Sequence, residues 1–186
     1  MRSIFGFVFG TLSVCACCAT TALAVDGNLD ATTASASNAL DGFVGSGICS
    51  GNVMAMGKNP GHASTGKYHG EKTLDGHWVV IHYDEDQTAA NPKPYHVAQY
   101  FAYDAREKQF VSVTFDNMGE SYSTGTSPGW KADTFTVDEN QTTHGKTVTF
   151  RDAFTKSGDG MSSHTGTMRD KHGKWVKTDE ETCHKA

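Results

Sequence analysis

Short runs of apolar, β-branched and aromatic residues, separated by polar connectors, fill the chain from residue 46 to its end. Each connector holds Gly, Asp or Asn, the residues that tolerate the backbone angles of tight turns. No long stretch has the apolar spacing of an amphipathic helix, so the pattern predicts strands throughout. The predicted strands are 48–56, 66–73, 76–83, 95–103, 110–115, 121–124, 133–137, 146–154, 161–169 and 174–183, and the predicted connectors include 104–108, 116–119, 138–140, 156–160 and 170–173.

A short helix is predicted just before the strands, where Leu40, Phe43 and Val44 have i, i+3, i+4 spacing. The strands themselves fit either a β-sandwich or an up-and-down barrel. Cys49 lies on the first predicted strand and Cys183 on the last, and those strands become neighbours only if the sheet closes on itself. We therefore predict an all-β, lipocalin-like fold: a single closed or nearly closed antiparallel up-and-down barrel of about 9–10 strands with a short N-terminal helix.

The first residues have the organisation of a signal peptide. Arg2 precedes an apolar run at 4–14, and the small residues that follow end in Ala22-Leu23-Ala24. Because the run is shorter than the ~20 residues that span a bilayer, we predict cleavage after Ala24 and a periplasmic or secreted protein. A lipid anchor on a leader cysteine is the minority alternative. The predicted divisions are a signal peptide at 1–24, a flexible tether at 25–39 and a barrel domain at 40–186.

The predicted cleavage leaves two of the five cysteines, Cys49 and Cys183. In an oxidising compartment such a pair is expected to form a disulfide, the alternative being two buried free thiols. The sequence has a net charge of −5 and no basic run, which argues against a nucleic-acid partner. No later apolar stretch is long enough for a transmembrane segment.

Candidate chemistry in the sequence is limited to histidines and acidic runs. The nine histidines show neither i, i+2 spacing nor His-Glu-x-x-His, so we interpret them as scattered and predict no metal ligand. The acidic runs 84–86 and 179–181 are interpreted as solvated, with loose calcium binding as the alternative. The Gly-Ser and Gly-Thr stretches do not lie at the strand-to-helix elbow that exposes a nucleophile. We predict no catalytic residue, no enzymatic activity and no cofactor.

Short motifs in the chain resemble those of a family of exported bacterial proteins of unknown function, which is placed among lipocalin-like (calycin-type) β-barrels. Family members tend to have a tryptophan two residues before their first cysteine, and Gly47 occupies that position here. The resemblance implies a barrel with an internal cavity over about residues 40–186, and it brings no activity with it. The motifs that carry it are Leu74-Asp75-Gly76-x-Trp78, Tyr103-Asp104, Asp116-Asn117-x-Gly119 and Ser127-x-Gly129-Trp130.

The predicted function is the binding of a small, partly apolar ligand in the barrel interior, without chemical transformation. Small closed barrels can enclose one ligand, in a pocket that is mostly apolar with a few polar groups. Strand parity leaves open which face is inside, and ordinary core packing is the alternative for the same side chains. The residues expected to line the interior are Trp78, His82, Tyr100, Tyr122 and Trp130.

Two other functions compete with this prediction. The first is a protein-binding module of the cell envelope, of the inhibitor or immunity type, with a filled core. The second is a weak haem or metal protein, because one branch of small ten-stranded barrels binds haem through a single axial histidine. The histidines that fit that role by position are His77, His82, His96 and His164.

Overall fold

The computed structural model describes residues 31–119, 121–158 and 160–186 of the chain. The predicted signal peptide lies outside these ranges, as does the beginning of the predicted tether. The rest of the tether is helical instead: α1 (Ala31–Asn38) runs directly into a 3-10 helix (Ala39–Phe43). Ser37 is buried, and its hydroxyl donates a hydrogen bond of 2.8 Å to the carbonyl oxygen of Gly76. This bond ties α1 to the turn at 74–77.

Within the described ranges, eleven strands follow the helices. They are β1 (Gly45–Val53), β2 (His62–Thr73), β3 (Trp78–Glu85), β4 (His96–Asp104), β5 (Gln109–Asp116), β6 (Tyr122–Ser127), β7 (Trp130–Lys131), β8 (Thr134–Thr143), β9 (Lys146–Ser157), β10 (Gly160–Arg169) and β11 (Trp175–Lys185).

Ten of these strands form one closed antiparallel ring, which confirms the predicted barrel. Consecutive strands pair with each other, except that β6 pairs with β8 and the two-residue β7 pairs only with the beginning of β8. The ring closes where β1 pairs with β11, and this pairing sets Cys49 directly opposite Cys183. The two cysteines form the predicted disulfide, with their Cα atoms 4.0 Å apart.

The 3-10 helix covers one end of the barrel, which we call the closed end. Phe43 enters the barrel there and is almost fully buried. Its ring stacks on Phe101 at 5.2 Å between centroids and meets Phe135 and Phe154 edge to face. Trp130 packs against the same group, so aromatic side chains fill this half of the interior.

The ring of Tyr68 accounts for the glycine at position 47, where family members tend to have a tryptophan. A Cβ atom at Gly47 would overlap the ring of Tyr68, which is itself buried in the core. The tyrosine ring therefore occupies the interior space beside Gly47, and a larger residue at position 47 would displace it.

The opposite end, which we call the open end, has longer connections at 54–61 and 86–95. Inward-facing residues change character along the strands toward this end, from phenylalanine and valine to serine, threonine and carboxylates. No helix in the described ranges is long and apolar enough to cross a membrane.

Candidate functional site

Carboxylates from four strands face the interior in the open half of the barrel. Because they come from β3, β8, β9 and β11, only closure of the sheet brings them together. We call them, together with the polar side chains that they contact, the acidic network. Its carboxylates are Glu85, Glu139, Asp152, Asp179 and Glu181.

Glu139 lies deepest in the acidic network and is 2% exposed. Its Oε1 accepts hydrogen bonds from Gln99 Nε2 at 2.9 Å, Ser112 Oγ at 2.7 Å and Thr114 Oγ1 at 2.9 Å. Its Oε2 accepts a fourth hydrogen bond, from Ser123 Oγ at 2.6 Å. Hydrogen bonds to a charged acceptor are stronger than neutral ones, so this cradle can hold a buried carboxylate without a cationic partner.

The sequence-based turn at 138–140 is wrong, since these residues lie inside β8. Asp138 accepts hydrogen bonds from the Arg151 guanidinium on the neighbouring strand, at 2.6 Å and 2.8 Å. Glu139, of opposite parity, points into the barrel. Three consecutive polar residues are typical of a connector. The sequence does not show that the inner face of the barrel is polar at this point of β8, where a polar residue can face inward.

His164 lies between three carboxylates of the acidic network. Its Nε2 is 3.2 Å from Asp152 Oδ1, and its Nδ1 is 3.1 Å from Asp179 Oδ2 and 3.6 Å from Glu181 Oε2. Burial by itself would lower the pKa of His164, but the surrounding carboxylates, Asp152 first, outweigh burial and raise the pKa well above 6.5. The ring of Phe154 lies against the imidazole, with the two centroids 4.9 Å apart.

On each of the two β11 carboxylates, hydroxyl groups donate hydrogen bonds to the oxygen that does not face His164. Glu181 Oε1 accepts hydrogen bonds from Tyr83 Oη at 2.8 Å and Ser64 Oγ at 3.0 Å. Asp179 Oδ1 accepts one from Thr178 Oγ1 at 2.7 Å. Burial tends to raise the pKa of Asp179, but His164, Thr178 and the Gly166 amide more than offset this effect, so the pKa is lowered. The oxygens nearest to His164 are therefore the ones left free by the hydroxyls.

Glu85 joins the 86–95 connection to the network. Its carboxylate accepts hydrogen bonds from Asn91 Nδ2 at 2.7 Å and the Tyr95 amide at 2.9 Å, and it lies 2.8 Å from His62 Nε2. Burial, and then the negative charges of Asp116, Asp152, Asp179 and Glu139, raises the pKa of the Tyr95 hydroxyl. Tyr95, the last residue of the 86–95 connection, is thus held beside Glu85 by its backbone amide.

The predicted ligand-lining residues do not belong to this network. Trp78, His82 and Tyr100 are on the outer face of their strands, because the opposite parity of β3 and β4 (Val79, Ile81, Gln99 and Phe101) is buried inside. The expected interior position is therefore wrong for these three residues.

The other two predicted residues lie at different places. Tyr122 is on the outside and 57% exposed, so its expected interior position is wrong as well. Trp130 packs against Phe43 and Phe135 at the closed end, and its indole Nε1 donates a hydrogen bond of 2.6 Å to the Ala39 carbonyl. It is partly buried, packs against the core and holds the 3-10 helix through this hydrogen bond.

The histidines considered for haem differ in position. His82 faces outward, His96 is exposed and pairs with Asp84 at 2.8 Å, and His77 lies in the turn before β3. His164 is the one of the four that faces the interior. Both of its ring nitrogens already face carboxylates, so an axial haem bond would have to displace these contacts.

Sequence reasoning named His164 only as one of four histidines considered for haem and interpreted the acidic run 179–181 as solvated, with loose calcium binding as the alternative, although one signal indicated that two of its carboxylates face inward. Asp179, Glu181 and Cys183 have i, i+2, i+4 spacing, so they share one face of the strand. Because cysteine is among the residue types most often buried, Cys183 favours burial of this face, and with it burial of the two carboxylates.

Two depressions mark the barrel wall. One, of about 310 Å³, is lined by outer-face side chains such as His82, Ala98 and Phe115 and does not touch the acidic network. The other, of about 350 Å³, lies along β1, β10 and β11, and its lining includes His164 and Glu181. The lining of the second depression therefore includes two residues of the acidic network.

The ring of ten antiparallel strands with a helical cap defines the class of this protein as a closed antiparallel β-barrel. Residues 32–185 match the family described as "Protein of unknown function (DUF1579)", and the chain belongs to that family. The resemblance predicted from the motifs is therefore confirmed.

The chain is also similar to the crystal structure of Rv2717c from M. tuberculosis, with a TM-score of 0.62 and 13% identity over 80% of this chain and 96% of that chain. At this identity the likeness concerns the fold alone. No curated protein matches the sequence.

Proposed function

We propose that the protein is an exported, non-enzymatic binding protein that takes a small, positively charged ligand into the open half of its barrel. The observation that carries the proposal is the charge of the acidic network. Among the described residues, the five carboxylates of the acidic network face two imidazoles, those of His164 and His62, so negative groups outnumber cationic partners even when both rings are protonated.

The excess charge is concentrated around His164. Glu139 is satisfied by four neutral donors, whereas Asp152, Asp179 and Glu181 share one imidazole. Carboxylates withdrawn from water without a cationic partner are costly. A cation that enters from solution would offset this cost, while an anion would increase it.

The predicted partly apolar ligand is not retained in the proposal. The closed half of the interior is occupied by the protein's own aromatic side chains, which are almost fully buried against one another. The open half is polar, and its side chains remain partly in contact with solvent: His164 is 20% exposed and Asp179 is 25% exposed. Charge is therefore the better guide to the ligand.

Export is supported by the disulfide between Cys49 and Cys183, since such bonds persist in oxidising compartments. The predicted signal peptide agrees with this location. We propose a periplasmic or secreted protein on these two grounds.

The experiment is a binding panel on the purified mature protein, read by isothermal titration calorimetry. The cations are putrescine, arginine and Zn²⁺, and the anionic control is succinate. We expect at least one cation to bind and succinate not to bind. Asp152→Asn should weaken binding at least tenfold, whereas the matched variant Asp138→Asn, on the outer face, should leave it unchanged. Binding of succinate, or of no cation in the panel, would refute the proposal.

A second candidate is the protein-binding module, which an aromatic group on the outer wall favours. Phe115 is 50% exposed and contacts both Tyr100 and Tyr122, at 6.2 Å and 6.0 Å between ring centroids. Aromatic residues are enriched in protein interfaces. Cross-linking in the envelope with a photoreactive residue at position 115 tests this function, and a product that also forms from position 71, on another strand, would count against it.

A further inference from the structure

One imidazole nitrogen of His164 and two carboxylate oxygens form a cluster of three potential ligand atoms. Nδ1 lies 3.1 Å from Asp179 Oδ2 and 3.6 Å from Glu181 Oε2, and all three atoms lie within 4.8 Å of one another. In a tetrahedral zinc site with bonds of about 2.0–2.1 Å, neighbouring ligand atoms are roughly 3.4 Å apart. The two distances from Nδ1 lie on either side of that value.

Glu181 contributes the third potential ligand atom, Oε2. Its side chain is only 9% exposed, yet Oε2 lies 3.6 Å from Nδ1, which is too far for a hydrogen bond. The other oxygen, Oε1, takes both hydroxyl bonds, from Tyr83 and Ser64. Oε2, which neither hydroxyl holds, lies within 4.8 Å of both other ligand atoms.

Outer contacts hold the other two ligands in the same orientation. Asp152 faces Nε2 of His164, the contact that fixes the ring in many carboxylate–histidine–metal sites. Thr178 holds Asp179 Oδ1, so that Oδ2 is turned toward His164. A Cβ atom at Gly166 would overlap Asp179 Oδ1, so only glycine allows this placement.

From this geometry, and resting on the proposed function, we propose that the cation is a divalent transition metal of the zinc type, bound by His164 Nδ1, Asp179 Oδ2 and Glu181 Oε2. Imidazole with carboxylates suits zinc and its neighbours, whereas magnesium and calcium prefer sites made of oxygen alone. The metal takes the place of the proton on Nδ1. Three protein ligands leave a fourth position for water, and the depression along β1, β10 and β11 reaches both His164 and Glu181.

The test uses the mature protein, stripped with a chelator and titrated with Zn²⁺ in competition with a chromophoric chelator. His164→Gln and Glu181→Gln should each weaken Zn²⁺ binding at least 100-fold, and Asp152→Asn should weaken it 10–100-fold as an outer contact. The matched controls are His96→Gln and Glu180→Gln, on the outer wall, and they should change the affinity less than twofold. Co²⁺ substitution adds a spectroscopic reading, because tetrahedral coordination should give visible absorption that both ligand variants lose.

The outcomes separate this inference from the proposed function. If putrescine or arginine binds while Zn²⁺ and Co²⁺ do not, the metal site is refuted and cation binding stands. If no cation binds, both fail. Equal binding of Ca²⁺ and Zn²⁺, or full Zn²⁺ binding by a folded Glu181→Gln variant, would also overturn the metal site. Circular dichroism on each variant establishes whether it is folded. If His164→Gln does not fold, Glu181→Gln is the ligand variant that tests the site.

Discussion

The two halves of the barrel interior are built on opposite principles. At the closed end, Phe43, Phe101 and Phe135 exclude water and pack on one another. At the open end, the same strands carry inward carboxylates that are held by hydroxyl and amide donors. We therefore expect stability to depend most on the closed half, and the proposed binding to take place in the open half.

The largest effect on stability is expected from truncation of Phe43, the aromatic residue that enters the barrel at the closed end. Phe43→Ala removes a buried ring that touches four other aromatic rings, so it should cost about 3–5 kcal/mol of unfolding free energy. Urea denaturation measures this loss. The matched variant Phe115→Ala, at a half-exposed site on the outer wall, should cost less than about 1 kcal/mol. Equal losses would contradict the assignment of the core to the closed half.

Removal of the disulfide should have the next largest effect. The bond spans 134 residues and joins the first strand to the last, so Cys49→Ala with Cys183→Ala should cost about 2–4 kcal/mol. Denaturation of the double variant, and of the native protein with and without a reductant, measures it. The reduced native protein should approach the double variant. A native protein unaffected by reduction would show that closure of the ring does not depend on the bond.

A smaller effect is expected from the deepest residue of the open half. Glu139→Leu leaves Gln99, Ser112, Thr114 and Ser123 without their acceptor, so it should cost about 2–3 kcal/mol. The matched control is Glu107→Leu in an exposed turn, with a change within about 0.5 kcal/mol. A Glu139→Leu protein more stable than the native one would mean that the polar network is kept at a cost to stability, as binding sites are.

The smallest effect concerns pH. The folded-state pKa of His164 in the metal-free protein lies above its ordinary value of 6.5, because carboxylates favour the charged ring. Its contribution to stability should therefore be complete below pH 6.5 and should be lost as pH rises through the raised pKa. Urea denaturation at a series of pH values from below 6.5 upward should show the unfolding free energy of the native protein falling. The His164→Gln protein should not show this fall. The same decline in both proteins would assign the effect to other groups.

The strand pattern was sufficient to predict most of the architecture. The predicted strands overlap ten of the observed strands, and the cysteine positions correctly indicated closure rather than a sandwich. Local alternation and turn residues are properties of the sequence alone, so they could be recognised without a partner strand. The error at 138–140 shows the limit, since Glu139 is stabilised by donors on three other strands.

The candidate site was predicted much less well. Aromatic residues were favoured as ligand contacts because of their type, and four of the five, Trp78, His82, Tyr100 and Tyr122, proved to be outside the barrel. On β3, both parities are apolar enough to be buried, so the sequence does not decide which one faces inward. The register between neighbouring strands makes that decision.

The sequence by itself determined a single all-β barrel with a short helical start and one bond between its first and last strands. Those features depend on local spacing and on two cysteines. Only the tertiary structure decided that His164, from β10, meets Asp152 from β9 and both Asp179 and Glu181 from β11. Their meeting depends on strand register, on the bulges in β10 and β11, and on closure of the ring, which no single segment encodes.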